Sequence, residues 1–314
     1  MTHWLSVIMP IHKGAGFLDA TLASVVGEAS PGMEFRCYDS GHDGGAARQI
    51  ALRYADRLDI VWTETPELGP WTAKTNRGVA EARAAHCVML HQDDLWLAGH
   101  GGALAAAVQD LGEGVVLSLG PSRFVGPQGQ EVGLWHLPFA PGRHDGRSLA
   151  QRLIVQNTVA VPAPVFRRDA FMAVGGMDDG LWYTADWDLY LKLALVGAVH
   201  VRGEATTAFR LHGQSLTMTG SRDLADFRAQ HQSVLDRYLP RLAPLPKGVE
   251  ARAAASVAVN CALAAASRGD MGSLVEAALR LVRLGPAGWG AFLRETGLWD
   301  RVGARLRLRL AGRM

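Results

Sequence analysis

The sequence predicts an α/β protein: a doubly wound, mostly parallel sheet with helices on both faces, followed by a C-terminal helical appendage. Short apolar runs alternate with helical segments through the first 94 residues, which is typical of a parallel sheet. Two of these runs are followed by carboxylates, Asp39 and Asp93. From Leu224 onward the pattern is helical and rich in Ala, Leu and Arg. Because open parallel sheets bind ligands beyond the carboxyl ends of their strands, both acids are candidate functional residues.

The elements of the amino-terminal part follow from apolar periodicity. Short apolar runs bounded by polar or glycine residues predict strands at Leu5–Ile11, Glu34–Tyr38, Ile60–Thr63 and His86–Leu90. Apolar residues at helical spacing predict helices at Leu18–Val26, Ala46–Leu58 and Thr72–Ala85. Strands and helices of these lengths form the repeating unit of a doubly wound sheet.

The middle of the chain is less regular. Helices are predicted at Leu95–Leu111, from Asp169 to the pair Gly175 and Gly176, and at Asp186–Val196, and strands at Val115–Leu119 and Val165–Arg168. Residues 121–147 are rich in Gly and Pro, which predicts loops and irregular connections. A boundary is predicted near residue 220, with residues 1–220 and 221–314 as two regions and Pro240–Pro246 as a linker.

Composition excludes several classes of protein. The net charge is +2, from 32 basic and 30 acidic residues, which argues against a dedicated nucleic-acid binder. The three cysteines have no C-x-x-C spacing, so buried reduced thiols are expected rather than disulfides or a zinc site. The first residues do not have the pattern of a secretory signal, and no uninterrupted apolar run reaches about 18 residues. We therefore expect a soluble protein of the cytoplasm, and a location at the inner face of the membrane is left open.

The tail from Arg301 to Met314 carries five arginines and no acidic residue. Two interpretations remain open. The tail either forms a basic amphipathic helix that lies on an anionic membrane surface, or an arginine-rich helix that packs on the catalytic part or on a second copy of the chain. A homo-oligomer is also left open.

Motifs in a fixed order suggest a family. They are Pro10-Ile11-His12-Lys13-Gly14, Tyr38-Asp39-Ser40-Gly41-His42-Asp43-Gly44, Asn76-Arg77-Gly78, His91-Gln92-Asp93-Asp94, Val174-Gly175-Gly176-Met177-Asp178, Thr184-Ala185-Asp186-Trp187-Asp188-Leu189 and Arg210-Leu211-His212-Gly213-Gln214-Ser215. This series, over residues 4 to 219, resembles the family 2 inverting glycosyltransferases, which have the GT-A fold. P-loop, dinucleotide-binding and esterase motifs do not occur.

The resemblance implies an enzyme that transfers one sugar, with inversion, from a nucleotide-diphosphate donor to a hydroxyl of a saccharide or lipid-linked saccharide. A UDP-sugar is the commonest donor of that family, and a divalent metal, Mn or Mg, is the implied cofactor. Two alternatives stay open: a non-catalytic module that binds nucleotide sugars or glycans, and a nucleotidyltransferase of similar fold.

The implied metal residues are Asp93, His212 and His91. Asp93 stands at the position of the family's metal-binding acid, and carboxylate oxygens suit hard divalent ions. His91 departs from the family, which usually has an acid there; it either binds a transition metal or ribose, or packs as an ordinary core histidine. The alternative for Asp93 and Asp94 is an N-cap for the helix predicted from Leu95.

Nucleotide contacts are implied for residues at the same sheet edge: Pro10, His12, Asp39, Lys74, Asn76 and Gln92. The alternative for Asp39 is a turn aspartate that binds its own backbone before Gly41.

The implied general base is Asp186, because the family has an acidic residue and then an aspartate here. Ala185 replaces that first acid, which leaves acceptor recognition open. Two first-turn acids that stabilise a helix terminus are the alternative. Candidate acceptor contacts are Trp182, Tyr183, Trp187 and Asp188, since aromatic faces stack on sugars and Asp188 lies on a different face of the helix from Asp186.

Overall fold

The structure, a computed structural model, describes residues 2–216 and 223–311. Its twelve strands within those ranges are β1 (Leu5–Ile11), β2 (Met33–Asp39), β3 (Asp59–Glu64), β4 (His86–Met89), β5 (Leu95–Trp96), β6 (Val115–Leu119), β7 (Ser122–Val125), β8 (Glu131–Trp135), β9 (Gly142–His144), β10 (Val165–Arg167), β11 (Ala198–Val201) and β12 (Thr207–Arg210). They form an eight-stranded sheet in the order β3-β2-β1-β4-β10-β6-β11-β9 and a four-stranded sheet in the order β5-β12-β7-β8.

The large sheet is parallel where the sequence predicted it. β1 pairs in parallel with β2 and β4, and β2 with β3. β10 is antiparallel to both of its neighbours, and β9 is an antiparallel edge strand. The chain winds outward from β1 in one direction through β2 and β3, then returns to add β4 on the other side. That reversal creates a crevice at the carboxyl ends of β1 and β4, where ligands of such sheets bind.

The described helices are α1 (Leu18–Val26), α2 (Ala46–Leu52), α3 (Trp71–Glu81), α4 (His100–Asp110), α5 (Gly146–Leu153), α6 (Arg168–Ala173), α7 (Ala185–Val196), α8 (Leu224–Leu242), α9 (Val249–Ala266), α10 (Ser273–Thr296) and α11 (Leu298–Leu310). α10 is broken at Gly285, whose φ of 66° suits glycine, and Pro286 follows directly.

Two apolar clusters cover the two faces of the large sheet. α1, α2 and α4 contribute to one cluster with β1 and β2. α3, α5, α6 and α7 contribute to the other, together with α8 and α9. The α/β fold with helices on both faces is thus confirmed.

The C-terminal helices share the core of the sheet domain. Phe227, Val234 and Tyr238 of α8 belong to the same buried cluster as Trp187 of α7. The predicted linker is wrong in its first half, because Pro240 lies in the last turn of α8, which runs to Leu242. The predicted boundary at residue 220 lies outside the described residues.

Two other predictions of local structure are wrong. Leu95 and Trp96 form a short strand that pairs with Thr207 and Ala208, and the helix predicted from Leu95 begins only at His100. The Gly- and Pro-rich segment 121–147 contains β7, β8 and β9. β5 and β9 pair with strands far along the chain, and β7 pairs with the distant β12 as well as with β8, which follows it after a short connection. A local pattern does not reveal the distant partners.

α9 is long and apolar enough to cross a membrane by length and composition, but 67% of it is buried within the protein. That burial is typical of a core helix. α11 packs on the four-stranded sheet, where Ala304 and Leu308 meet Phe124 and Leu211. Of the two interpretations of the basic tail, the described part of this segment therefore fits the packing helix.

Candidate active site

The predicted site residues of the amino-terminal half meet at one edge of the large sheet. His12 follows β1, Asp39 ends β2, and His91 to Asp94 follow β4. The backbone N–H of Leu90 donates to Ile8 of β1, which brings the ends of these two strands together.

A buried lysine organises the ends of β1 and β2. Lys74 of α3 donates from Nζ to the Ile11 carbonyl and to Ser40 Oγ, at 2.7 Å each. Burial lowers the pKa of Lys74 to about 8. His12 is exposed, with Nδ1 3.0 Å from Ser40 Oγ. Asp39 accepts from the backbone of Gly41 at 2.8 Å, which is the turn contact expected as the alternative, and burial raises the pKa of Asp39.

Three further candidates for nucleotide binding have positioning contacts in the structure. Gln92 pairs with the backbone of His12 through both amide atoms, at 2.8 Å each. Asn76 pairs in the same way with the backbone of Met177, at 2.8 and 3.0 Å. Pro10 is buried within β1 opposite Tyr38. These contacts hold the three residues in place at the crevice. A contact from any of them to a ligand stays a prediction.

A glycine is required beside Gln92. A Cβ on Gly14 would lie 2.9 Å from Ile11 Cγ2 and 3.0 Å from Gln92 Oε1. Gly14 thus lets the segment after β1 lie against the segment after β4.

A histidine–aspartate cluster follows β4. His91, Asp93 and Asp94 offer ligand atoms that all lie within 4.8 Å of one another. His212 comes from the segment after β12, with Nε2 2.8 Å from Asp93 Oδ2. Burial acts to raise the pKa of Asp93, but the hydrogen bond from His212 and the two imidazoles outweigh it and hold that pKa below its usual range.

The donor set of this cluster fits a divalent cation. Asp93 is ionised, and burial lowers the pKa of His91, so that its imidazole is neutral. Within the described residues, His91 Nε2, His212 Nδ1 and Asp94 Oδ2 are buried and have no hydrogen-bond partner. Buried polar atoms are normally satisfied, so three orphans in one cluster are consistent with a ligand there. Neutral imidazole together with carboxylate suits a transition metal such as Mn²⁺.

Asp94 does not cap a helix. Its Oδ1 accepts from the backbone of Arg210 at 3.0 Å, while Arg210 donates from Nε to the Asp93 carbonyl at 2.6 Å. Burial and the charge of Asp93 raise the pKa of Asp94 well above its usual range. Because the following helix begins at His100, the N-cap alternative for Asp93 and Asp94 is wrong.

Asp186 lies in the first turn of α7 and is 7% exposed. Its Oδ2 accepts from Asn157 Nδ2 at 2.9 Å, and its Oδ1 accepts from the backbone of Trp187 at 2.9 Å. Burial raises the pKa of Asp186 to about 6. A carboxylate with this pKa is suited to general base catalysis, because it is ionised at neutral pH and yet takes up a proton readily.

Trp71 connects the histidine–aspartate cluster to the segment that leads into Asp186. Its ring lies 5.0 Å from the ring of His91, edge to face. Its Nε1 donates to the carbonyl of Trp182 at 3.0 Å. The half-buried indole of Trp71 therefore links the cluster around His91 to the segment that precedes Asp186.

The four acceptor candidates fall into two pairs. Trp182 and Tyr183 are half-buried, with ring centroids 5.4 Å apart, so an acceptor surface made by them stays a prediction. Trp187 is buried and donates from Nε1 to the Leu153 carbonyl at 2.9 Å. Asp188 is fully buried; the acceptor role expected for it and for Trp187 is replaced by a structural one.

The contacts of Asp188 explain that correction. Its carboxylate accepts from Arg237 at 2.6 Å and from the Tyr238 hydroxyl at 2.8 Å, and it pairs with Lys192 at 2.8 Å. These contacts join α7 to α8.

Sequence reasoning missed Asn157 and Trp71. Asn157 lies in the loop after α5, between Gln156 and Thr158, and belongs to no recognisable motif. Trp71 begins α3 ahead of the Asn76 motif, where an aromatic residue is also typical of the core. No local pattern identifies either residue.

No protein-family model matches the chain. An uncharacterized glycosyltransferase of Rickettsia typhi is 20% identical over 251 residues, which cover 78% of this chain and 75% of that protein. An uncharacterized protein of Mycobacterium tuberculosis is 26% identical over 248 residues, which cover 74% of this chain and 73% of that protein.

Solved structures share the fold. TarS 1–349 of S. aureus, in complex with UDP-GlcNAc, matches with a TM-score of 0.60 and 17% identity, covering 96% of this chain and 88% of that one. The mannosyltransferase PcManGT of Pyrobaculum calidifontis, in complex with GDP-Man and Mn²⁺, matches with a TM-score of 0.57 and 16% identity, covering 94% and 86%. These solved structures show that the chain has the GT-A-like fold of glycosyltransferases, as the ordered motifs predicted, and the Rickettsia glycosyltransferase is a distant sequence relative.

Proposed function

We propose that the chain is an inverting glycosyltransferase that moves a sugar from a nucleotide-diphosphate donor to a hydroxyl of a saccharide or lipid-linked saccharide. The observation that carries this proposal is the pairing of a cation-binding cluster with a separate buried base of pKa about 6. The complexes of TarS with UDP-GlcNAc and of PcManGT with GDP-Man support a nucleotide-sugar donor. The Mn²⁺ of the second complex supports a divalent cofactor.

The residues divide the work between two ends of the crevice. Asp93, His212 and His91 would hold the cation, which when bound neutralises charge on the leaving diphosphate. His12, Asp39 and the buried Lys74 lie at the neighbouring strand ends, where they are placed to contact the nucleotide. Trp182 and Tyr183 precede Asp186 and form the aromatic surface on which a sugar acceptor stacks.

The chemical step needs one base. The acceptor oxygen forms a bond to the anomeric carbon while the bond from that carbon to the diphosphate oxygen breaks. The acceptor proton passes to Asp186, and the nucleoside diphosphate leaves with the bonding electron pair. Attack opposite the leaving group inverts the anomeric centre. Asn157 holds the carboxylate of Asp186 in position for this transfer.

Substitution of the base tests the proposal. Asp186→Asn should abolish release of nucleoside diphosphate from UDP- and GDP-sugars with Mn²⁺, because an amide does not accept the proton. Donor affinity, followed as the rise in melting temperature with UDP or GDP and Mn²⁺, should stay close to that of the native chain. Asp56→Asn, the same change on an exposed side chain, is the matched control. Turnover by Asp186→Asn at the native rate would rule out this base.

The native chain also tests the alternative of a binding module. Donor binding without any turnover, across the donors and with both Mn²⁺ and Mg²⁺, would favour that module over an enzyme.

A further inference from the structure

We propose that Arg301 and Arg305 of α11 form an anion-binding site at the acceptor end of the crevice, so that the acceptor carries a phosphate or carboxylate group. The inference rests on the proposed function, because it names the class of acceptor that the same site takes. The two arginines belong to the basic tail, whose charges the donor half of the site does not use.

Helix geometry directs both side chains inward. Arg301 and Arg305 are four residues apart and share one helix face with Leu308, which is buried against the small sheet. His136 fixes the start of this helix, since its Nδ1 lies 2.8 Å from Asp300 Oδ2. Arg307, on another face, donates to the Val132 carbonyl. The position of the two guanidiniums is therefore set by packing on three sides.

Neither guanidinium has an acidic partner. Across residues 2–216 and 223–311, no carboxylate forms an ion pair with Arg301 or Arg305, although most other half-buried arginines of the chain have one. Arg301 Nε is buried and has no hydrogen-bond partner among the residues that the structure describes. Burial lowers the pKa of Arg301 to about 10, and the charge of Arg305 lowers it further. Burial also lowers the pKa of Arg305, and there the repelling charge is that of Arg309. Two half-buried like charges with a free donor are complementary to an oxyanion, which guanidinium binds through parallel N–H groups.

A hydrogen-bond network ties Arg301 to the base. Arg301 Nη1 donates to Asn260 Oδ1 at 3.1 Å, and Asn260 Nδ2 donates to Gln156 Oε1 at 2.9 Å. The next residue along the chain, Asn157, donates to Asp186 at 2.9 Å. The dipeptide at 156 and 157 therefore orients the candidate base with one side chain and the candidate anion site with the other.

The phenol of Tyr183 interacts electrostatically with both charge centres, the two arginines and Asp186. Burial raises the pKa of its phenol, Arg305 and Arg301 lower it, and the charge of Asp186 raises it. Tyr183 is half-buried and its ring lies 5.2 Å from that of His231, which is 3.2 Å from Asn260 Nδ2. At the donor end of the crevice, by contrast, the charged group that acts on His91 is the carboxylate of Asp93, and neither arginine acts there. The arginines thus serve the acceptor end of the crevice.

Binding of three sugars to the full chain tests the site. Glucose 6-phosphate, glucuronate and glucose are titrated by calorimetry, with saturating UDP and Mn²⁺ to occupy the donor end. Charge-assisted hydrogen bonds predict that at least one anionic sugar binds about tenfold to a hundredfold more tightly than glucose. The phosphate and carboxylate arms show which oxyanion is preferred.

Variants locate the binding. Arg301→Gln and Arg305→Gln should each lose about tenfold in affinity for the anionic sugar, since each removes a charged donor. Arg283→Gln, on the exposed face of α10, is the matched control and should bind as the native chain does. If Arg301→Gln does not fold, Arg305→Gln is the deciding variant. The Arg305 side chain donates to the Arg301 carbonyl of its own helix, so its replacement breaks no hydrogen bond to another element that the structure describes.

Three results would overturn the inference. They are equal affinity of the native chain for glucose and both anionic sugars, unchanged affinity in folded Arg305→Gln, and binding of the anionic sugar in a parallel titration without UDP that saturating UDP abolishes, which would place the sugar in the donor pocket. Retained UDP binding beside any of these leaves the proposed function intact. Absence of turnover beside intact anion binding would instead reject the proposed function alone.

Discussion

The side-chain amide of Asn157 donates a hydrogen bond of 2.9 Å to Asp186 Oδ2. This contact lowers the pKa of Asp186, against the larger effect of burial, which raises it. Asn157 in turn accepts from the backbone of Val159 at 3.1 Å, so the loop after α5 fixes the direction in which the amide points. Burial therefore raises the pKa of Asp186, and a residue 29 positions earlier in the chain offsets part of that rise.

Removal of that amide should change the pH profile of transfer. In Asn157→Ala, Asp186 loses a hydrogen bond that favours its ionised form, so its pKa rises further. The acidic limb of kcat/KM, expected near pH 6 in the native chain, should move to higher pH. Activity falls severalfold at pH 6 and converges with the native value at pH 8. A uniform loss at every pH would assign Asn157 a purely structural role.

Asp186→Asn should stabilise the protein at neutral pH. The folded-state pKa of about 6 lies above the ordinary value of 3.8, so the folded chain holds a proton that the unfolded chain releases between these values. Stability therefore falls as pH rises through this window, and the amide avoids a penalty of about 1–3 kcal/mol at pH 7.5. Denaturant unfolding should show this gain at pH 7.5 and its disappearance at pH 4. A destabilised variant at pH 7.5 would contradict burial as the cause.

Asp93→Asn should weaken metal-dependent donor binding. The neutral amide removes the ionised ligand and the partner of His212. We expect the increase in melting temperature that Mn²⁺ adds to that of UDP or GDP to be lost, with a fall in apparent metal affinity of about tenfold or more. Glu64→Gln, an exposed carboxylate at the end of β3, is the control. An unchanged response to Mn²⁺ would move the cation elsewhere.

Asp188→Ala should be among the most destabilising single changes. It leaves Arg237 and Lys192 without their shared buried carboxylate and removes the bond from Tyr238. Loss of one partner of a buried ion pair costs about 3–5 kcal/mol. Urea unfolding measures this loss, and the fraction that folds should keep the native affinity for UDP or GDP. Stability equal to the native chain, or a selective effect on acceptor use, would restore the acceptor role first expected of Asp188.

The parts of the fold that sequence predicted are those encoded locally. β1, β2 and β4 are buried apolar runs with polar stops, and their ends carry the residues of the donor site. β5 and β12 escaped prediction because two strands of two and four residues are stabilised by each other across more than a hundred positions. The spacing of apolar residues within a short segment gives no information about a pairing partner so far along the chain.

The candidate site residues likewise divide into those that a local motif marks and those that no local pattern marks. Motifs singled out Asp93, His91 and Asp186 as candidates, and in the structure burial acts on the pKa of each of them. Asn157 had no such pattern. Arg301 and Arg305 were recognised as part of a basic helix, but periodicity does not reveal which surface the helix faces.

The packing of α8 and α9 around α7, and of α11 on the four-stranded sheet, has a consequence for truncation of the chain. Side chains after Leu224 complete the apolar cluster on one face of the large sheet, and Asn260 completes the hydrogen bonding of Gln156. A chain that ends before α8 would expose this apolar surface to water, so the amino-terminal half is not expected to fold without the later helices.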